Sequence, residues 1–285
     1  MAFIVSDFLR RLIELFSDRG VFEPEISAER ILSSITGMSR AELYSANDNI
    51  IYNPLIHRAK SAAERRIAGE PLAYITGECE FYNVSLKIDR RVMVPRPDTE
   101  TLVEEVLKKL QRIEGDKLVA DVGTGSGCIA VSLAVNLDRI EVIASDYKAE
   151  VIDLAEENAQ LNSVNRKIRF VAGNKFEPFG DYNKQFDCIV SNPPYIAGGE
   201  KEKLPVEVRE YEPAGAIFAG EDGLDFIREL VNESPAFLKR DGFLAMEIGY
   251  MQGEAVKDLM REKFYYIELV KDLSGNDRVV IGYRK

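Results

Sequence analysis

The chain has 285 residues, enough for one large domain or for a large and a small one, and its 46% hydrophobic and 30% charged residues are those of a globular protein, not a disordered or fibrous one. A net charge of −11 and a pI near 4.9 disfavour broad, sequence-independent binding to DNA or RNA, which rests on many Lys and Arg contacts to phosphate. No apolar run approaches the roughly 20 residues of a membrane span. The start, Met1-Ala2-Phe3-Ile4-Val5-Ser6-Asp7, lacks the basic region of a secretory signal. Cys79, Cys128 and Cys188, widely spaced, and the single His57 argue against a disulfide framework or a zinc site, so a cytoplasmic protein without a bound metal is expected.

Leu9, Leu12, Ile13 and Phe16 recur at helical spacing before Gly20, and Ala28, Ile31, Leu32 and Ile35 before Gly37. Each glycine is placed to end its helix in a left-handed cap. Ser39-Arg40-Ala41-Glu42 has the capping-box pattern, and Asn53-Pro54 offers an N-cap followed by proline at the first helical position. That helix is predicted to run to about Ala68, where Gly69-Glu70-Pro71 stops it. A small all-α domain over 1–75 is expected.

Residues 79–88 carry aromatic and branched residues in period two about Asn83, which predicts a β-hairpin within a connector over 76–95. After Pro95-Arg96-Pro97 a helix follows with Leu102, Val103, Val106, Leu107 and Leu110. Arg96 and Glu100 read equally well as a surface salt bridge at its start. Strands are expected at 117–122, 140–145, 168–172, 186–191, 242–248, 264–270 and 278–283, alternating with helices. Such alternation implies an α/β domain over 96–285: a seven-stranded, mostly parallel sheet covered by helices on both faces. The last two strands, joined around Ser274-Gly275-Asn276-Asp277, should form an antiparallel hairpin.

Two segments carry chemistry. Asp121-Val122-Gly123-Thr124-Gly125-Ser126-Gly127 follows an apolar strand and opens a helix, so the glycines let backbone amides approach a ligand closely. Asp146 ends the next strand, where a carboxylate accepts ribose hydroxyls. This pair leaves a dinucleotide and S-adenosyl-L-methionine both open. The Gly-x-Gly-x-Gly spacing, with Asp121 two residues before it, resembles the first motif of class I methyltransferases, which implies Asp121 near the methionine ammonium. After the third expected strand, Asn174 stands where that family commonly has aspartate by the adenine, and Lys175 reads as either a solvated loop lysine or a cofactor contact.

The fourth expected strand ends in Asn192-Pro193-Pro194-Tyr195. An amide or aromatic amine nitrogen is a poor nucleophile because its lone pair is delocalised. The Asn192 side-chain oxygen and the Pro193 main-chain oxygen can accept its two hydrogens and turn that lone pair toward a methyl donor. Pro193-Pro194 stiffens the turn, and Tyr195 can stack on a planar substrate. These residues equally suit the exocyclic amine of a flipped adenine.

With Gly69-Glu70-Pro71-Leu72-Ala73-Tyr74-Ile75-Thr76-Gly77, Val94-Pro95-Arg96-Pro97-Asp98-Thr99-Glu100, Glu212-Pro213, Gly220-Glu221-Asp222-Gly223-Leu224, Glu247-Ile248-Gly249 and Gly275-Asn276-Asp277-Arg278, the chain resembles the PrmC/HemK family of protein-(glutamine-N5) methyltransferases over most of its length. The resemblance implies a Rossmann-like class I methyltransferase fold and methylation of the Gly-Gly-Gln glutamine of peptide-chain release factors. It implies S-adenosyl-L-methionine as donor and S-adenosyl-L-homocysteine as product. It further implies a helical domain that grips the release factor, with no stable nucleic-acid or membrane partner; a monomer is expected when free. An adenine-N6 nucleic-acid methyltransferase is the competing expectation.

Overall fold

The computed structural model describes residues 2–46, 49–183 and 185–285. The chain divides into two compact units, Met1–Glu78 with Pro205–Tyr211, and Cys79–Leu204 with Glu212–Lys285.

The first unit contains β1 (Ala2–Ile4), α1 (Val5–Asp18), α2 (Pro24–Thr36), α3 (Arg40–Ser45), β2 (Ile50–Tyr52), α4 (Asn53–Ile67) and α5 (Leu72–Thr76). Val5, Phe8, Leu9, Leu12 and Phe16 form the buried stripe of α1, meeting Ala28, Ile31 and Leu32 of α2 and Leu43 of α3. Gly37 ends α2 at φ 74°, its N–H donating to the Ser33 carbonyl at 2.8 Å. The capping box of α3 is closed in both directions, Glu42 N–H to Ser39 Oγ at 3.3 Å and Ser39 N–H to Glu42 Oε2 at 2.8 Å.

Two local expectations are corrected, the Asn53 cap and the all-α character of this unit, and one short helix is added. Helix α4 begins at Asn53 with Tyr52 as its cap, so Pro54 stands second in the helix and no side chain caps it. The pair β1 and β2, in register Phe3↔Ile51, has strands of three residues, too short to display an alternating pattern. Helix α5 is a single turn after Pro71, below the length at which helical periodicity is visible. The segment Pro205–Tyr211 completes this unit: the buried Arg66 guanidinium bonds Ser27 Oγ at 3.2 Å, the Glu70 carbonyl at 3.1 Å and Glu207 Oε1 at 2.6 Å.

The second unit opens with β3 (Glu78–Phe81) and β4 (Val84–Lys87), a hairpin whose two turn residues, Tyr82 and Asn83, both have positive φ, 41° and 63°. There follow α6 (Pro97–Leu110), β5 (Lys117–Val122), α7 (Cys128–Asn136), β6 (Ile140–Asp146), α8 (Ala149–Leu161), β7 (Ile168–Ala172) and β8 (Phe186–Ser191). The unit ends with α9 (Asp225–Phe237), β9 (Leu238–Glu247), α10 (Gly253–Met260), β10 (Phe264–Lys271) and β11 (Asp277–Arg284). The last seven strands form one sheet in the order β10-β11-β9-β8-β5-β6-β7. Neighbours from β9 to β7 run parallel, while β11 is antiparallel to both β9 and β10. Strand β9 starts at Leu238, earlier than expected. The polar run Lys239-Arg240-Asp241-Gly242 hides its beginning, and the ladder crosses that run through a register shift with Asp241 at φ 64°.

The chain winds outward from β5 through β6 to β7 and then returns to place β8 on the other side of β5. Ligands of open α/β sheets bind outside the carboxyl ends of the strands at such a reversal. Register places the ends together. Asp121 pairs with Ala144 and with Val190, and Val190 pairs with Ala245. Two residues further along each strand, Gly123, Asp146, Asn192 and Glu247 therefore leave the sheet at one level.

Candidate active site

An open cavity lies at these strand ends, where ligands of open α/β sheets bind. Gly123, Thr124, Gly125, Ser126, Asp146, Asn174, Lys175, Asn192, Pro193 and Pro194 line it. The two motifs, distant in sequence, thus share one wall. Asp121, Gly127 and Tyr195 are not on that wall.

Asp121 is fully buried beneath the glycine turn. Its Oδ2 accepts the Thr124 hydroxyl at 2.6 Å, while Oδ1 has no hydrogen-bond partner. Burial pushes its carboxyl up to about 7, against the Thr124 bond that pulls it down. The turn uses its glycines: Gly123, Gly125 and Gly127 have φ of 76°, 55° and 78°, and a Cβ on Gly127 would stand 3.2 Å from that of Ala155 in α8. Asp146 Oδ2 accepts the Gly125 N–H at 3.1 Å, so the carboxylate at the end of β6 also fixes the turn. Asn158 of α8, fully buried, donates to the Ser126 carbonyl at 2.9 Å and accepts the Lys87 N–H at 2.7 Å, which ties the loop to β4.

After β7, Asn174 is exposed on the wall, its N–H donating to Glu177 Oε2 at 3.1 Å. Lys175, at φ 49°, is paired with Glu229 and lies 5.1 Å from the Phe226 ring centroid, so it is a structured, half-buried residue of the wall, not a solvated loop lysine.

On the β8 side, Asn192 Nδ2 donates to Thr99 Oγ1 at 3.0 Å, Thr99 Oγ1 donates to Glu247 Oε2 at 2.6 Å, and Tyr195 Oη donates to Glu247 Oε1 at 3.1 Å. Tyr195 therefore turns its phenol to a buried carboxylate and packs against the apolar core, instead of offering its ring to the cavity. Burial raises the Glu247 carboxyl, while the Thr99 bond and the nearby Arg278 guanidinium lower it. Arg96 and Glu100 do not pair with each other: Arg96 binds Glu212, and Glu100 accepts the Tyr82 N–H at 3.1 Å.

Sequence reading passed over Thr99, Glu247, Tyr147 and Phe226 as site residues. Thr99 and Glu247 are polar residues enclosed at 1% exposure each; the apolar run before Glu247 predicts a buried strand, but not that its carboxylate meets a threonine of α6. Tyr147 and Phe226, both on the cavity wall, read as ordinary residues of a strand end and a helix start.

The strand order, the glycine turn above a buried Asp and the Asn-Pro-Pro-Tyr turn at the next parallel strand end define a methyltransferase of class I. An unpartnered buried carboxylate oxygen under backbone amides, a second carboxylate at the β6 end and an open cavity fit a ligand that joins an ammonium to a nucleoside. The Methyltransferase small domain family matches residues 97–208, and the PrmC N-terminal domain family matches residues 7–77. The release factor glutamine methyltransferase of Thermodesulfovibrio yellowstonii is 39% identical over 89% of this chain and 90% of its own length. That of Vibrio cholerae is 37% identical over 100% and 98%, and that of Bacillus subtilis 38% over 90% and 90%. The chain belongs to the release factor glutamine methyltransferase family. Among solved structures, the hMettl16 catalytic domain in complex with the MAT2A 3′UTR hairpin 6 matches with TM-score 0.56 at 17% identity, covering 82% of this chain and 84% of that one. A methyltransferase from Pyrococcus furiosus matches with TM-score 0.51 at 18% identity over 81% and 98%. At these identities the likeness is one of fold. No described helix is long and apolar enough to cross a membrane, and no group of His, Cys, Asp and Glu among the described residues is arranged for a metal ion.

Proposed function

We propose that this protein transfers a methyl group from S-adenosyl-L-methionine to the side-chain amide nitrogen (N5) of the glutamine in the Gly-Gly-Gln motif of peptide-chain release factors, leaving S-adenosyl-L-homocysteine and modulating translation termination. The observation that carries the chemistry is the Asn192 amide on the cavity wall, its nitrogen committed to Thr99 and its oxygen left to accept. Near full-length similarity to relatives named as release factor glutamine methyltransferases supports the substrate.

The donor, when bound, supplies an electrophilic sulfonium methyl. In this reading Asp121, beneath the cavity wall, holds the donor's ammonium directly or through water, Asp146 takes the ribose hydroxyls, and Gly123, Thr124, Gly125 and Ser126 line the approach, with Gly127 opening the helix behind them. Asn174 and Lys175 form the adenine side, with Phe226 as an apolar surface. Asn192 Oδ1 and the Pro193 carbonyl accept the two hydrogens of the glutamine amide, orienting the nitrogen lone pair for an in-line displacement. Pro194 stiffens this turn. Positioning and electrostatics supply the catalysis. Residues 1–75 are assigned to gripping the release factor and 76–95 to joining the two working parts. The protein is assigned to the cytoplasm, as a monomer when free, with no nucleic acid held stably.

The test is label transfer from labelled S-adenosyl-L-methionine, with release factor, a release factor lacking the Gly-Gly-Gln glutamine, and nucleic acid in parallel. Label on the intact release factor alone is expected. Label only in nucleic acid would favour the adenine-N6 reading and sink this one.

A further inference from the structure

We propose that Thr99 and Glu247 are positioning residues that hold the Asn192 amide with its oxygen, not its nitrogen, toward the substrate nitrogen; the inference rests on the methyl-transfer reading above. An asparagine amide has two ends of nearly equal shape and opposite hydrogen-bonding sense. With Nδ2 toward the cavity, a donor would face the N–H groups of an amide or amine substrate, and the lone pair would not be turned.

The direction of the hydrogen-bond chain selects the end. Glu247, when ionised, only accepts, and two hydroxyls converge on it: Thr99 Oγ1 at 2.6 Å on Oε2 and Tyr195 Oη at 3.1 Å on Oε1. Threonine has a single hydroxyl hydrogen, and here it is spent on the carboxylate. Toward Asn192 the Thr99 oxygen is therefore left as an acceptor, and the group it accepts from, 3.0 Å away, is Nδ2. The amide oxygen then occupies the opposite end. Rotating the amide would set two acceptors against each other at Thr99.

The surroundings keep this direction fixed. Thr99 and Glu247 are each 1% exposed, so water does not offer a competing partner. Burial pushes the Glu247 carboxyl up, and the two hydroxyls that donate to it, with the Arg278 guanidinium ion-paired to Asp98 at 3.0 Å and Asp272 at 3.1 Å, pull it back toward the ionised form. Thr99 lies in the first turn of α6, Asn192 just past the end of β8 and Glu247 at the end of β9, so three separate elements meet to orient one side chain.

Steady-state kinetics of the purified full-length protein tests the assignment. Thr99→Val is expected to lower kcat roughly 10- to 100-fold, the scale of misorientation at a reacting centre, with substrate KM and cofactor affinity within about twofold. Thr99→Ser, which keeps the hydroxyl, should restore most of the rate, and a merely structural role would not produce that split. Glu247→Leu should match the loss, and the double variant should be no slower than the slower single one. Near-normal kcat in Thr99→Val, no rescue by serine, or losses that multiply in the double variant would each overturn it. A second measurement needs neither a variant's folding nor a substrate: in the wild-type protein the Asn192 side-chain NH2 should show one proton slowed in solvent exchange. Two fast-exchanging protons would refute the orientation, whereas absence of release-factor labelling counts against the substrate reading alone.

Discussion

Thr124 donates its hydroxyl to Asp121 Oδ2 across 2.6 Å and leaves the other oxygen of that fully buried carboxylate without a partner. Burial, with a smaller push from the neighbouring Asp146 carboxylate, drives the carboxyl up to about 7. The folded chain thus binds this proton more tightly than the unfolded chain, where an aspartic acid titrates near about 3.9. Stability from the protonated form is present at low pH and is lost as pH rises through about 7.

A cationic ligand group beside Asp121 reverses that cost. Affinity for S-adenosyl-L-methionine is expected to weaken by up to about tenfold per pH unit below about 7, because the proton must leave before the ammonium binds. Calorimetric titration from acid to neutral pH measures it. Asp121→Asn should lose this slope and bind about 10- to 100-fold more weakly, the equivalent of about 1.5–3 kcal/mol for a charge-assisted hydrogen bond. An unchanged slope in the variant would remove Asp121 from cofactor binding.

Asn192→Ala should bind the cofactor as the wild type does, since Asp121, Asp146 and the glycine turn are untouched, and yet lose methyl transfer. Equilibrium binding and label transfer on one preparation separate the two effects. Turnover at the wild-type rate would take Asn192 out of the chemistry.

Gly223 has φ 76°, and a Cβ there would run into the Tyr195 carbonyl oxygen and come within 3.0 Å of Gln252 Nε2. Gln252 Nε2 itself donates to that carbonyl at 2.9 Å. Gly223→Ala is expected to cost about 1–3 kcal/mol for left-handed backbone strain alone, and to slow turnover by displacing the turn that carries Asn192. Urea unfolding and kcat report the two losses.

Phe16 is fully enclosed in the core of the helical unit. Phe16→Ala should destabilise it by about 3–5 kcal/mol through lost apolar contact and a residual cavity. If that unit grips the substrate, the KM for release factor rises while cofactor affinity, a property of the other unit, is retained. Unchanged KM in a variant shown by proteolysis to have a loosened helical unit would refute the gripping role.

Local pattern carried much of this protein into its sequence. The helical stripes of α1 and α2, the capping box at Ser39, the hairpin about Asn83 and all seven strands of the large sheet follow from spacing and turn chemistry acting over a few residues. The glycine turn and Asn192-Pro193-Pro194-Tyr195 are likewise legible, because backbone freedom, proline stiffness and amide chemistry are properties of the residues themselves. Tertiary structure decided what those residues face. Strand register brings Gly123, Asp146, Asn192 and Glu247 to one level, and Thr99 meets Glu247 across 148 positions of sequence. Burial of Asp121 and the turning of Tyr195 from the cavity to a carboxylate arise only when distant segments pack, since neither solvent exclusion nor the direction of a hydrogen bond is a property of a local run of sequence.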